Sequence, residues 1–383
     1  MKAIALVPGT TTLSLVERPA PVLTNDDDVL LDVLQVGICG TDREEAAGGR
    51  ADAPPGKKEL VIGHEMLGQI TALGPKVTGL AVGSLAVLTV RRECGHCPAC
   101  AAGRADMCYS GDYTERGIKG LDGYETEQVV DRARYAVSIA NAIAGSAVLV
   151  EPLTIAEKAI DEAQRIQAAR LPASKVAKGA QSMAGQRSLV AGLGPVGLLA
   201  AIALRLRGAE VVGLDVVDKD SVRAKILGEL GGTYVDGRSV QPSAIEKHVG
   251  RVDFIFEATG VPKLEFELMD ALGINGIYVV TGIPGGDRPV TVDAAELMRR
   301  LVLGNQVLLG SVNASLAHFQ TAAHDLEAAE RRWPGLAGRL ITSRVPAAQF
   351  EKAFAPPGEQ EIKTVIEWKT VEPSKARSIG SAG

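Results

Sequence analysis

Short apolar strand patterns alternate with helix patterns between residues 188 and 312, and this alternation constrains the fold more than any other feature. The strand-like runs read "SLVAG", "AEVVGLD", "FIFEATG", "GIYVVTG" and "VLLGSV", and helix-like runs such as "VGLLAAIALRLRG" and "SVRAKILGELGG" lie among them. Repeated β-α-β units of this kind build a parallel sheet covered by helices. The sequence therefore predicts an α/β fold for this part of the chain.

Three glycines lie between the first strand pattern of this region and the helix pattern that follows it. Glycine permits a tight turn there and lets backbone amides approach a pyrophosphate at the helix N-terminus. Asp215 ends the next strand pattern, where a carboxylate can accept hydrogen bonds from a ribose hydroxyl. Together these features predict a dinucleotide site rather than a plain strand-to-helix turn. We assign to this site Gly192, Gly194, Pro195, Val196, Gly197, Asp215, Thr281, Gly282 and Ile283.

Asp215 also bears on the choice between NAD and NADP. Its carboxylate would repel the 2′-phosphate of NADP. Lys219 and Arg223 follow closely in the sequence and would weaken that repulsion. The sequence thus favours NAD and does not exclude NADP.

Four of the five cysteines stand in one short segment, "CGHCPACAAGRADMC" at residues 94–108. Cys94, Cys97, Cys100 and Cys108 supply four thiolates from one loop, a pattern typical of a closed, tetrahedral zinc site without a position for substrate. An iron–sulfur cluster is the alternative, but nothing else in the chain suggests electron transfer by a cluster. We therefore predict a structural zinc, with His96 facing solvent.

The fifth cysteine, Cys39 in "GICGTD", has candidate partners in His64 and Glu65 of "GHEMLGQITALG". A thiolate, an imidazole and a carboxylate can hold a zinc ion and leave one position for substrate. Taken singly, a lone cysteine is typical of a small core residue and a His-Glu pair of a turn. The three residues together are the candidate chemical site.

The regions on either side of the α/β part follow a different pattern. Residues 1–145 are rich in valine, glycine and turn signals, with strand patterns such as "DVLLDVLQVGI" and "GQITALG". A helix pattern, "EPLTIAEKAIDEAQRIQAAR", and a polar linker, "LPASKVAKGAQSMAGQR", follow them. After residue 312 a mixed pattern ends in "IKTVIEW" and a tail, "TVEPSKARSIGSAG", which we expect to be disordered. We place the boundaries at 1–187, 188–312 and 313–383, with the α/β domain inserted into a β-rich one.

Composition excludes several classes of partner and location. A net charge of −5 offers no basic surface for nucleic acid or anionic membranes, and 4% aromatic residues are too few for a base-stacking surface. The sequence has no stretch of about 18 uninterrupted apolar residues, so we expect no membrane span. The N-terminal residues lack the pattern of a secretory signal. Cysteines spaced for metal rather than for disulfides lead us to expect a cytoplasmic protein.

Several segments resemble one known family. "GHEMLGQITALG" is similar to the zinc signature of medium-chain dehydrogenases, including the spacing of Gly68 and Gly74. Further segments resemble the glucose 1-dehydrogenase branch of that superfamily: "CGTDRE", "APPG", "VRRECGHC", "YTERGIKGLDGY", "EPLTIAEKAI", "LLGSVNASLAHF" and "IKTVIEW". The resemblance covers Met1 to about Trp368. It implies a GroES-like β-rich catalytic domain, a Rossmann domain with a doubly wound parallel sheet, and one catalytic and one structural zinc per chain.

The resemblance assigns metal roles to individual residues. It implies that Cys39 and His64 are ligands of the catalytic zinc and that Glu65 ligates directly or through water. Glu151 matches a position that supplies another ligand or approaches the sugar hydroxyls. Asp42 matches a carboxylate that holds His64 in one tautomer, a common arrangement around zinc-bound histidines.

The resemblance also implies roles in catalysis and substrate binding. Thr41 would take the proton of the substrate hydroxyl and pass it toward solvent by way of the cofactor ribose; the alternative for Thr41 and Asp42 is a local side-chain turn. Glu115 and Asn313 match sugar contacts, as does Glu151, because a pyranose needs several hydrogen-bonding groups. Either Glu115 or Asn313 could instead be a surface or turn residue.

The expected reaction is therefore zinc- and NAD(P)-dependent oxidation of an aldose at C1, giving a lactone. Three departures from the family pattern weaken the case for glucose itself: Arg50 in a loop without an aromatic residue, Val90 and Leu303. Oxidation of a polyol or cyclitol is the alternative within the same chemistry, and a non-catalytic NAD-binding protein is the alternative outside it. The run "NQVLLGSV" predicts an exposed sheet edge and, with it, a homodimer or homotetramer.

Overall fold

The structure is a computed structural model and describes residues 1–171, 182–285 and 289–370. Its strands are β1 (Lys2–Leu6), β2 (Leu13–Glu17), β3 (Asp28–Ile38), β4 (Leu60–Val61), β5 (Glu65–Leu73), β6 (Leu85–Leu88), β7 (Arg91–Arg92), β8 (Thr114–Arg116), β9 (Gly120–Leu121), β10 (Gln128–Arg132), β11 (Ala136–Ile139), β12 (Arg187–Ala191), β13 (Glu210–Asp215), β14 (Thr233–Asp236), β15 (Val252–Glu257), β16 (Leu272–Val280), β17 (Val307–Gly310), β18 (Ile341–Pro346) and β19 (Lys363–Glu367). Its α-helices are α1 (Gly40–Ala46), α2 (Pro98–Ala101), α3 (Val150–Arg170), α4 (Pro195–Leu206), α5 (Val222–Glu229), α6 (Ile245–Val249), α7 (Pro262–Glu267), α8 (Ala294–Leu303) and α9 (Leu316–Arg332).

Six parallel strands form the sheet predicted for the α/β region. Their order is β14-β13-β12-β15-β16-β17, and every pairing in the sheet is parallel. The direction of winding reverses at β12, because β13 lies on one side of it and β15 on the other. Ligands of such sheets bind outside the carboxyl ends of the strands at this reversal. The predicted fold class is thus confirmed, and the glycine turn after β12 lies where a dinucleotide is expected.

The β-rich part is organised around β3, which is eleven residues long. β3 pairs antiparallel with β5, with β10 and with β19. The last of these strands comes from the far end of the chain, after the parallel sheet. The chain therefore leaves the β-rich sheet, builds the parallel sheet and returns, which brings residues from both ends of the sequence to one place.

Helix α3 joins the two parts. Its buried residues include Leu153, Ala156 and Ile160, which belong to one core cluster with residues of α4 and α9. Each fully buried leucine or isoleucine stabilises such packing by about 1.5–3 kcal/mol. The helix pattern predicted for residues 151–170 corresponds to α3, so the first turn of this helix has a fixed position at the site described below.

Part of the predicted linker, residues 172–181, and nearly all of the predicted tail, residues 371–383, lie outside the described residues. Among the residues that are described, none of the helices combines the length and the apolar character needed to cross a bilayer.

Candidate active site

Cys39 stands where the chain leaves β3 and enters α1. Its Sγ accepts a hydrogen bond from the Thr41 N–H at 3.2 Å, and the Asp42 carboxylate accepts one from the Cys39 N–H at 2.8 Å. Cys39 thus occupies the N-cap position that serine or aspartate commonly fills. This capping fixes the direction in which the sulfur points.

His64, just before β5, and Glu65, the first residue of β5, reach the same point from the antiparallel neighbour of β3. Glu65 pairs with Gly37, two residues before Cys39. Cys39 Sγ and His64 Nε2 lie 3.3 Å apart, and the three side chains each place a ligand atom within 4.8 Å of the others. His64 and Glu65 are buried. Sulfur, nitrogen and oxygen donors at this spacing fit a zinc ion with one position left open.

Two further residues hold these candidate ligands from behind. Asp42 Oδ1 lies 3.5 Å from His64 Nδ1, so this ring nitrogen is near the carboxylate while Nε2 is near Cys39. Lys363, fully buried on β19, forms an ion pair with Glu65 Oε2. Gly37 makes room for that carboxylate, since a Cβ at this position would lie 2.1 Å from Glu65 Oε2. Sequence reasoning missed Lys363, because only the pairing of β19 with β3 brings it here.

Thr41 and Glu151 lie beside the cluster of Cys39, His64 and Glu65. Thr41 is in the first turn of α1, and Glu151 is in the first turn of α3. Desolvation raises the pKa of Glu151 to about 7; the charge of His64 opposes this shift and that of Glu65 adds to it. Glu151 is not among the three residues whose ligand atoms lie within 4.8 Å of one another. A direct bond from Glu151 to the metal therefore stays a prediction.

Glu45, one turn after Asp42 on α1, is a residue that sequence reasoning missed. Its side chain is fully buried, and neither carboxyl oxygen has a hydrogen-bond partner among the described residues. Burial, reinforced by the charge of Asp42, raises the pKa of Glu45 to about 9. The place of Glu45 in the polar run "DREE" gave no sign that it would face inward.

The four cysteines of residues 94–108 converge as the spacing predicts. Cys94 Sγ lies 3.7 Å from Cys100 Sγ, and Cys97 Sγ lies 3.9 Å from Cys108 Sγ. A zinc tetrahedron with bonds of about 2.3 Å has sulfur–sulfur edges of about 3.8 Å. The four thiols, none of them in a disulfide, therefore fit a closed zinc site. His96 points away, with 61% of its side chain exposed.

The glycine turn after β12 has the geometry of a dinucleotide site. Gly192 has φ +88°, and a Cβ on Gly197 would lie 1.8 Å from the Gly192 carbonyl oxygen, so both positions require glycine. Gly194 has open space around it. Pro195 begins α4, and Val196 beside it is partly exposed. The free N–H groups at this helix end can face a pyrophosphate.

Asp215 lies next to this turn at the end of β13. Its carboxylate accepts hydrogen bonds from the backbone N–H groups of Leu193 and Val216, both at 2.6 Å. Of the two cations expected to weaken its repulsion of NADP, Arg223 is engaged elsewhere, donating to the Glu361 carbonyl at 2.6 Å. The Asp215 carboxylate therefore lies beside the turn, and Arg223 is not its partner.

Glu257, buried at the end of β15, organises the next part of the cofactor edge and was also missed by sequence reasoning. Its carboxylate accepts hydrogen bonds from the N–H groups of Thr259 and Gly282. Its carbonyl accepts one from Thr281 Oγ at 2.6 Å. Ile283 follows with an exposed side chain. The predicted residues 281–283 therefore lie at the carboxyl end of β16, on the side of the sheet where the glycine turn lies.

The two predicted sugar contacts meet directly. Asn313 Nδ2 donates to Glu115 Oε1 at 2.5 Å, and the guanidinium of Arg91 donates to the same oxygen at 2.9 and 3.1 Å. No donor from the described residues reaches Glu115 Oε2. The turn after β8 packs against the loop before His64, since a Cβ on Gly117 would lie 2.4 Å from the Gly63 carbonyl oxygen. Glu115 Oε1 is therefore fully engaged, and the strand that carries Glu115 ends beside the loop before His64.

The three departures noted in the sequence occupy different surroundings. Arg50 pairs with Glu44, with two nitrogen–oxygen distances of 3.1 Å. Val90 is buried in the core. Leu303 ends α8 before β17 begins, with 73% of its surface exposed, whereas Asn313 follows the other end of β17. Leu303 therefore lies at the opposite edge of the sheet from Asn313, and its apolar side chain does not reduce the polarity of the site around Asn313.

Comparison with known proteins agrees with this geometry. Residues 25–141 match the alcohol dehydrogenase GroES-like domain, and residues 144–368 match the family described as glucose dehydrogenase C-terminus. Glucose 1-dehydrogenase 2 of Vulcanisaeta moutnovskia is 38% identical over 371 residues, covering 96% of this chain and 99% of that protein.

Solved structures show the same arrangement of the chain. A glucose dehydrogenase of Haloferax mediterranei in complex with NADP, zinc and gluconolactone is 33% identical, with a TM-score of 0.84 over 97% of this chain and 100% of that one. Galactitol-1-phosphate dehydrogenase of Escherichia coli, at 20% identity and a TM-score of 0.76 over 96% of this chain and 100% of that one, shares the fold. The chain belongs to the glucose dehydrogenase branch of the zinc-dependent medium-chain dehydrogenase/reductase superfamily.

Proposed function

We propose that the protein oxidises the C1 hydroxyl of an aldose, glucose or a related pyranose, to a lactone with NAD or NADP as hydride acceptor and zinc as cofactor. The observation that carries this proposal is the open cluster of Cys39, His64 and Glu65, whose ligand atoms lie within 4.8 Å of one another. The names of relatives support the substrate class, since proteins of Vulcanisaeta moutnovskia and Methanocella arvoryzae at 38% and 36% identity are called glucose 1-dehydrogenases. The Haloferax enzyme was solved with gluconolactone, the product expected here.

The reaction converts an aldose and NAD(P)⁺ into a lactone, NAD(P)H and one proton. When bound, zinc supplies Lewis-acid chemistry that lowers the pKa of an alcohol, and the nicotinamide takes the hydride. The protein holds the metal through Cys39, His64 and Glu65. Asp42 and Lys363 fix the orientation of His64 and Glu65.

The remaining site residues bind the sugar and move its proton. We assign to Thr41 a proton relay: its hydroxyl accepts the proton of the C1 hydroxyl while it gives up its own proton toward solvent. The assignment follows from the place of Thr41 two residues after Cys39 at the start of α1. Glu115, Asn313 and Glu151 are assigned to the other sugar hydroxyls. A site built from such groups rejects analogues that leave them unpaired, often by large factors.

Substrate choice is tested by cofactor reduction across a panel of aldoses, their 6-phosphates, polyols and cyclitols. We expect activity with aldoses, glucose among them, and loss of affinity for aldoses that lack a ring hydroxyl. Activity confined to polyols, cyclitols or simple alcohols would replace the aldose by the alternative substrate class. Two zinc ions per chain by metal analysis, with alcohol-dependent cofactor reduction, distinguish the enzyme from a non-catalytic NAD-binding protein that keeps one zinc.

Cofactor preference follows from the charge of Asp215. We propose that kcat/KM favours NAD over NADP, because the carboxylate beside the glycine turn repels a 2′-phosphate. Asp215→Ser should lower the ratio of kcat/KM with NAD to kcat/KM with NADP by about tenfold, which would shrink or reverse the preference. Asp215→Asn should have the same effect while keeping an oxygen for the Leu193 N–H. Steady-state kinetics with both cofactors measures the ratio. A native preference for NADP, the cofactor of the Haloferax complex, would contradict this assignment.

Assembly is proposed to use the open edge of the parallel sheet. β17 ends that sheet, and Leu308 on it is 48% exposed without a charged residue in the strand to protect the edge. We propose a homodimer formed by pairing of β17 with its copy, or a tetramer built from such dimers. Light scattering should give two or four times the chain mass at micromolar concentration, and Leu308→Lys should shift the protein toward the monomer. A native protein that is monomeric under these conditions would refute the assembly.

The cytoplasm is the proposed location. All five cysteines are free thiols, and the two candidate zinc sites require reduced cysteines rather than disulfides. A reducing compartment keeps them so.

A further inference from the structure

Asp106 lies inside the four-cysteine loop, in the short 3-10 turn Ala105–Met107, and its side chain is fully buried. Its carboxylate binds Arg104 at 2.8 Å and Lys158 Nζ at 3.0 Å. Lys158 comes from α3, and only 2% of its side chain is exposed. Buried charges need paired partners, so this contact ties the loop firmly to α3.

Lys158 makes a second bond that leads to the sugar contacts. Its Nζ donates to the Val312 carbonyl at 2.8 Å. The next residue is Asn313, which has a positive φ of 60° and reaches Glu115 with its amide. Lys158 therefore holds the backbone from which Asn313 extends.

A separate route joins the same loop to Glu115. Arg91 donates from Nη1 to the Asp106 carbonyl at 3.1 Å and from Nε and Nη2 to Glu115 Oε1. The Glu115–Asn313 pair is thus anchored twice to Asp106, through Arg91 on one side and through Lys158 on the other.

We propose that Lys158 is a positioning residue of the sugar site. Its bonds to Asp106 and to the Val312 carbonyl hold Asn313 in a fixed position relative to the four-cysteine loop. The inference rests on the proposed function and gives the four-cysteine loop a part in substrate binding as well as in folding. Among the described residues, the hydrogen bond and ion pair of Lys158 go to Val312 and Asp106 and not to a candidate zinc ligand. Removal of Lys158 should therefore change the affinity for the sugar rather than the turnover of bound sugar.

Lys158→Met removes the charge and both bonds while keeping the length of the side chain. We expect the KM for the aldose to rise about tenfold, with kcat within about twofold of wild type and the KM for the cofactor unchanged. Zinc content should stay at two ions per chain. The matched control is Arg207→Met, which removes another buried cation. Arg207 pairs with Glu157 on α3 and with Asp325 on α9, and it makes no bond to the Asn313 segment in the described structure. The control should lose stability and leave the aldose KM unchanged.

The decisive comparison places Lys158→Met in an Asn313→Ala background. If Lys158 acts through Asn313, the Lys158→Met change should alter the aldose KM of the Asn313→Ala enzyme by less than about twofold. Fully additive effects, or a Lys158→Met enzyme with the wild-type KM, would overturn the inference. Should Lys158→Met fail to fold, Asp106→Asn takes its place in the same comparison. The proposed function is refuted if the wild-type enzyme oxidises no aldose. This inference alone is refuted if the wild-type enzyme is active and Asn313→Ala raises the aldose KM but Lys158→Met does not.

Discussion

Cys39→Ser is expected to lower kcat/KM by at least about 10³-fold while leaving a folded protein. Loss of the Lewis acid removes several kcal/mol of transition-state stabilisation. The fold should survive because serine is a good N-cap and can accept the bond that Cys39 Sγ takes from the Thr41 N–H. Metal analysis together with steady-state kinetics checks both halves of the prediction, with one zinc per chain expected in place of two.

A single outcome would contradict this assignment of the chemical site. If Cys39→Ser kept two zinc ions and more than about a tenth of the wild-type rate, the cluster of Cys39, His64 and Glu65 would not be the site of catalysis. Circular dichroism on the same sample guards against a trivial loss of folding.

Cys94→Ser is expected to act on stability, because the energy of structural zinc binding is also folding energy. Breaking the tetrahedron should lower Tm by about 10 °C or more, as several kcal/mol of stability are lost. Differential scanning calorimetry with parallel metal analysis measures the effect. The loop between residues 94 and 108 should also become more sensitive to proteolysis.

His96→Ala provides the matched control within the same loop. His96 lies between two of the cysteines, yet its side chain is largely exposed and outside the tetrahedron. This variant should keep both the wild-type Tm and the zinc content. A Cys94→Ser protein with wild-type Tm that had lost only its activity would reverse the roles given to the two clusters.

The sequence predicted those features whose chemistry lies within one short segment. The glycine turn at 192–197 and the four cysteines at 94–108 each bring their groups together by local spacing alone. The parallel sheet followed from the alternation of strand and helix patterns. Cys39 and His64 are 25 residues apart. Their donor chemistry made them candidate partners and the family resemblance strengthened the assignment, because the pairing of β3 with β5 is not visible in either segment.

Residues that depend on distant pairings escaped prediction. Lys363 meets Glu65 only because β19 returns to β3 after the whole parallel sheet has been built. Lys158 meets Val312 across an interval of 154 residues. Leu303 departs from the family pattern in the sequence, but it precedes β17 and so lies at the edge of the sheet opposite Asn313. Spacing cannot indicate such contacts, since they depend on the three-dimensional course of the chain.

The central claim, oxidation of an aldose at C1, is tested most directly by following the hydrogen that leaves the sugar. Glucose carrying deuterium at C1 should transfer that deuterium to the reduced cofactor, detectable by mass spectrometry, with the lactone as the first product. Retention of deuterium in the sugar while the cofactor is reduced would show oxidation at another carbon. That result would contradict the assignment of C1 as the reacting centre.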